Sequence, residues 1–134
     1  VRKIVRVSMW YMIIGLFFGV FYREFTKLNN YTGATQLRGL HTHTLVLGMF
    51  FFLIVLLLEK NFQITKQSNY KKFYILYNSG LGITLTMMLI HGIMTVLGMD
   101  SSPAISGFAG VGHILMTIGF GFFFNILFKS VTNH

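Results

Sequence analysis

Apolar residues run through this chain in four long stretches, Ile4 to Tyr22, Leu40 to Leu58, Phe73 to Met99 and Ala104 to Phe128, divided by short polar segments. A helix needs about 20 such residues to cross roughly 30 Å of hydrocarbon. The stretches meet that length and use most of the chain. Residues 1–134 are therefore read as a single all-α domain, an integral membrane four-helix bundle with up-down-up-down order, in which any core chemistry must come from the helices themselves.

The breaks between stretches carry their own signals. Asn29, Asn30, Thr32 and Gly33 predict a turn and a helix start near Thr32, so that the second helix begins before its apolar part. Asp100-Ser101-Ser102-Pro103 supplies a cap followed by proline at the first position of the fourth helix. Glu59 to Lys72 is the longest polar segment. Trp10, Tyr11 and Tyr22 lie near the ends of the first stretch, as in an interfacial aromatic belt. That stretch lacks a clean small-residue cleavage site after Gly15 to Val20, so it is read as a span and not as a signal peptide.

Composition agrees with the pattern: 54% of residues are hydrophobic, 10% are charged, and mean hydropathy is +0.65. A net charge of +8 would suit nucleic acid, but the basic residues sit in segments between spans and form no patterned face. No nucleic-acid partner is expected. With both termini on one side, that side holds Arg2, Lys3, Arg6, Lys60, Lys66, Lys71, Lys72 and Lys129, against Arg23, Lys27 and Arg38 on the other. The bias puts both termini and the second loop on the cytoplasmic side of the membrane, near anionic lipid. The absence of cysteine removes disulfides, iron–sulfur clusters and thiolate ligation.

Against this background the histidines stand out. His41, His43, His91 and His113 lie within or at the edge of spans, and ionisable groups there usually face a bundle interior or cavity, where they bind, conduct or react. At 1.5 Å per residue, His91 lies about 12 Å before Met99, His113 about 15 Å after Pro103, and His43 a similar distance after Gly33. The side opposite the termini is where all four fall. His41 and His43 are about 200° apart around a helix and cannot both point at one centre. His43 is taken as the inward one because it aligns with Leu47, Phe50 and Ile54.

Neutral imidazole suits zinc, copper, iron and nickel, and histidine holds haem iron axially. Haem b with two axial histidines needs one from each of two helices, apolar walls and a cation for the propionates. His43, His91 and His113 offer the ligands, the fifteen phenylalanines the walls, and Arg38 the cation, with Arg23 and Lys27 as alternatives. Met49, Met87, Met88, Met94 and Met116 lie near the histidines and keep a copper site open, although methionine more often fills gaps in a core. Gly107, Gly110, Gly112, Gly119 and Gly121 allow close approach of either a helix or a flat ligand.

The segment Leu37-Arg38-Gly39-Leu40-His41-Thr42-His43-Thr44-Leu45-Val46-Leu47-Gly48, with His91-Gly92 and Gly112-His113, resembles a family of small bacterial four-span membrane proteins classed as a domain of unknown function. The resemblance covers nearly the whole chain. More distantly, histidines beside glycine on successive membrane helices resemble the haem-bearing core of haem–copper oxidases and of haem proteins linked to nitric oxide. That resemblance implies haem binding, without oxygen or nitric oxide reduction.

The leading expectation is a membrane b-type haem protein, ligated through His43, His91, His113 or His41, in electron transfer, redox or gas sensing, or haem handling. Its partners would be the bilayer, a redox or haem-handling protein, and a second copy of the chain. The alternatives are copper or other transition-metal binding or transport, and a cofactor-free partner subunit. Glu24, Glu59 and Asp100 all lie at span edges, which disfavours a cation path. Nucleophile and phosphate-cradling motifs are missing, so an enzyme is the weaker expectation.

Overall fold

The computed structural model describes residues 1–132 except Ser101; the fifth histidine, His134, lies outside the described residues. Four helices long and apolar enough to cross a membrane form the bundle: α1 (Arg2–Leu28), α2 (Leu37–Phe62), α3 (Tyr70–Val96) and α4 (Pro103–Thr132). A short 3₁₀ turn, Ile64–Lys66, links α2 to α3. The expected fold class holds. Both termini lie at one end of the bundle, called here the terminal end.

Local chemistry sets the helix ends. After α1, Asn30 takes φ 52°, Asn30 N–H reaches Lys27 O and Tyr31 N–H reaches Thr26 O. After α3 the same pair of reverse bonds closes around Gly98 at φ 74°, from Gly98 N–H to Thr95 O and Met99 N–H to Met94 O. These Schellman closures satisfy carbonyls that the helix leaves bare. The third span therefore stops at Val96, short of the expected Met99. The start of α2 also differs from expectation, falling at Leu37 instead of near Thr32. Thr35 explains the difference: its hydroxyl accepts Leu37 N–H and donates to Gly92 O at 3.0 Å, so the preceding chain is tied to α3 before α2 begins. At the far end of α2, both carboxylate oxygens of Glu59 accept bonds from Thr65, at 2.7 Å each.

Small residues decide which helices touch. A Cβ on Gly80 would lie 2.7 Å from Met116 N and 2.8 Å from Gly112 O, so α3 and α4 pack backbone to backbone. Gly119 meets Tyr77 on the same seam. Between α1 and α2, Gly15 receives Leu45 and Gly48 receives the ring of Tyr11. The two hairpins are joined by Phe51 of α2, whose ring lies 4.5 Å from that of Tyr77, 5.2 Å from Phe123 and 5.6 Å from Phe120. Outward positions are apolar, as contact with lipid requires: Trp10, Phe17, Ile114 and Phe128 are all exposed.

Residues Thr44–Phe50 of α2 form a π-helical segment, with Phe51 N–H bonding back to Val46 O. When the ladder returns from five-residue to four-residue spacing, one carbonyl is passed over. Tyr77 Oη donates to Leu47 O at 2.5 Å, and Ser8 Oγ donates to Met49 O at 2.9 Å. In hydrocarbon a bare carbonyl has no water to turn to, so these two hydroxyls from neighbouring helices hold the wide turn in place.

Candidate functional site

The inward face of α2 is not the expected one. The expected inward stripe His43–Leu47–Phe50–Ile54 does not form, because Phe50 is 54% and Ile54 53% exposed, and His43 is exposed as well. Leu37, Leu40, Thr44, Gly48, Phe52 and Val55 face the interior instead. These recur every three to four residues, so the inward stripe lies one residue round from the expected one.

His43 and His113 share one geometry. Each ring donates from Nδ1 to the carbonyl four residues earlier, His43 to Gly39 O and His113 to Ala109 O, both at 2.8 Å. A carbonyl only accepts, so Nδ1 carries the proton and Nε2 is left with its lone pair. This is the tautomer and the restraint that a metal-ligating imidazole needs.

They also share a level. A Cβ on Gly39 would lie 3.6 Å from His43 Nδ1 and 3.9 Å from Met88 Cε, which sets Gly39 beside Met88. Four residues on, antiparallel to α3, His43 comes within a turn of Thr84. Thr84 Oγ1 is in turn the nearest neighbour of a Cβ placed on Gly112, the residue before His113. The two imidazoles thus flank the same turn of α3, one from α2 and one from α4. His113 lies two turns above Phe120 on one face of α4, and Phe120 is one of the two residues, with Phe123, through which α4 meets Phe51 of α2. Beside His43 a groove of about 230 Å³ is lined by Thr42, His43, Val46 and Leu47.

His41 and His91 stand apart. The His41 ring packs 3.7 Å from a Cβ position on Gly19 of α1, on a different side of α2 from His43. His91 lies seven residues beyond Thr84, about 10 Å nearer the end of α3. In both, Nδ1 is buried without a hydrogen-bond partner. Among the described residues, no three His, Cys, Asp or Glu side chains come together as a metal-holding group. The histidines do not assemble into one ligand set, and His43 with His113 is the pair that the helices bring level.

Arg38 is exposed five residues before His43, about 8 Å further toward the end of α2. The glycines of α4 divide by face: Gly112 and Gly119 serve the seam with α3, whereas Gly107, Gly110 and Gly121 meet nothing within 4 Å. The pinning hydroxyls of Ser8 and Tyr77 were not singled out by sequence reasoning. Their only signal is a polar group at a core position of an apolar helix.

The chain belongs to the family described as protein of unknown function (DUF2871), whose model matches residues 1–130. No curated protein and no solved structure matches it.

Proposed function

We propose that this member of the DUF2871 family is a membrane b-type haem protein, with His43 and His113 as the axial ligands and electron transfer as its role. One observation carries the reading: two lipid-level imidazoles, on different helices but abreast of the same turn of α3, each have Nδ1–H tied to a backbone carbonyl and Nε2 free. An unsatisfied acceptor in hydrocarbon is costly, and a Lewis acid placed between the pair would take up both lone pairs.

The donor set fits haem better than a small ion. Two imidazoles without a third ligand leave copper or zinc short of a closed site, whereas haem iron takes its other four ligands from the macrocycle. Bound there, haem would supply a one-electron couple. The residues of the chain hold, orient and insulate it: Gly39 O and Ala109 O fix the ring planes, and Val46 and Leu47 give an apolar wall. Arg38, near the bundle end opposite the termini, would supply the cation for a propionate, and the basic terminal end would face the cytoplasm.

The test is the absorption spectrum of detergent-purified protein, oxidised and dithionite-reduced, with a pyridine haemochrome assay. A Soret band with sharp reduced α and β bands is expected, lost or converted in His43→Ala and in His113→Ala and retained in His41→Ala and His91→Ala. Colourless protein that takes up no added haem, or normal spectra in both axial variants, overturns the proposal.

A further inference from the structure

A second groove opens in the terminal half of the bundle, between α1 and α3, lined by Val7, Trp10, Tyr11, Ile14 and Asn78, with a volume of about 310 Å³. Its depth follows from helix geometry. Trp10 lies about 12 Å along α1 from Arg2, and Asn78 about 12 Å along α3 from Tyr70, so the groove opens sideways into hydrocarbon. Trp10, 57% exposed, forms its outer wall.

The lining is almost wholly apolar, and its one small polar spot, at Tyr11 and Asn78, is held in place. The Tyr11 ring stacks on Phe52, with centroids 5.9 Å apart and planes at 6°. Tyr11 Oη donates to Asn78 Oδ1 at 2.7 Å, and Asn78 Nδ2 donates one hydrogen to Tyr74 O at 2.9 Å. The inventory of these groups leaves one amide hydrogen on Asn78 and the lone pairs of Tyr11 Oη unused. An acyl chain has nothing to offer either. In hydrocarbon the unused donor and acceptor call for a lipid-soluble ligand that carries oxygen on a flat apolar ring.

We propose that this groove binds the head ring of a membrane quinone. A quinone carbonyl accepts the free Asn78 amide hydrogen, and the hydroxyl of the reduced quinol donates to Tyr11 Oη, so both forms are recognised. The volume sits at the lower end of the range for small-molecule sites, which suits a single ring whose tail stays in the lipid. The assignment uses no residue of the haem proposal and does not rest on it.

Trp10 is the sole tryptophan of the chain and lines the groove, so its fluorescence reads occupancy directly. Purified protein in detergent is titrated with decyl-benzoquinone. The expected result is saturable quenching, with apparent affinity weakened about tenfold in Asn78→Leu and in Tyr11→Phe, the equivalent of one lost hydrogen bond. Val7→Phe, which narrows the groove and leaves the polar pair intact, gives the same loss if the polar variants fail to fold. In the reporter Trp10→Phe/Phe108→Trp, quenching is linear and collisional. Linear quenching of Trp10 equal to that of the reporter, or full affinity in folded Asn78→Leu and Val7→Phe, overturns the site.

Discussion

Tyr77→Phe removes one oxygen from a fully buried side chain and tests whether the wide turn of α2 is imposed by its neighbours. The Tyr77 hydroxyl supplies the partner of Leu47 O. Its loss forfeits about 1 kcal/mol of net hydrogen bonding and exposes a carbonyl whose desolvation costs about 1–3 kcal/mol. The segment itself can remove that penalty by returning to four-residue spacing, which takes up the stray carbonyl within the ladder. Losing one residue from the bulge turns the first part of α2 by about 100° relative to Phe51. Phe51 is clamped by aromatic rings of α3 and α4, so the part that turns is Leu37–His43.

The absence of cysteine gives a clean assay. A Cβ on Gly19 would lie 3.8 Å from His41 Cβ, close to the mean separation in disulfides. Gly19→Cys/His41→Cys should therefore cross-link quickly under mild oxidant. A penalty of 1.4 kcal/mol is tenfold in population, so adding Tyr77→Phe should slow cross-linking by about fivefold or more. An unchanged rate in a folded triple variant would refute the idea that Tyr77 holds the turn, whatever binds at His43.

Other perturbations have simpler readouts. Gly80→Ala places a methyl against backbone atoms of α4 that cannot swing aside, and should cost about 2 kcal/mol in a detergent-denaturation titration, whereas Gly82→Ala, with open space around it, should be neutral or slightly stabilising. Phe51→Ala removes the ring shared by both hairpins and should cost about 3 kcal/mol in the same titration. Glu59→Ala leaves both bonds to Thr65 unmade and should cost about 2 kcal/mol, with faster amide exchange across Ile64–Lys66.

The spans were legible in the sequence because crossing a bilayer is a length requirement, and length and hydropathy are read directly from the residues. Element ends were less so. Gly98 and Asn30 are recognisable stop residues, yet a hydropathy window runs past Gly98 to Met99, since Leu97 and Met99 are as apolar as the helix before them. The π segment was not legible, because nothing in Thr44–Phe50 itself demands a wide turn; its donors come from Ser8 and Tyr77, 41 and 30 residues distant from the carbonyls they bond. The error over His43 is separate: the stripe His43–Leu47–Phe50–Ile54 has helical spacing but lies one residue round from the buried one, and apolar residues on both faces leave hydropathy nothing to separate them. The similar depth of His43 and His113 was readable from counting along helices, whereas their separation from His91 needed the contacts of Gly39 and Thr84.

Phe51 links the packing to the proposed haem site. In the terminal half of the bundle its ring fills the space between α2 and the α3–α4 pair, touching Tyr77, Phe120 and Phe123. Two turns further along α4 the corresponding place belongs to His113, which is exposed, and its level on α2 belongs to His43, also exposed. The bundle is therefore aromatic and closed around Phe51, and carries two exposed imidazoles near the level of Thr84. Lipid alone would reward continuing the phenylalanine packing, because an imidazole with a free Nε2 gains nothing from acyl chains. A flat apolar macrocycle with a Lewis-acidic centre would restore contact there and satisfy both nitrogens. On this argument haem would complete the seam that Phe51 begins, and its binding should raise the denaturation midpoint of the wild type but not of His43→Ala/His113→Ala.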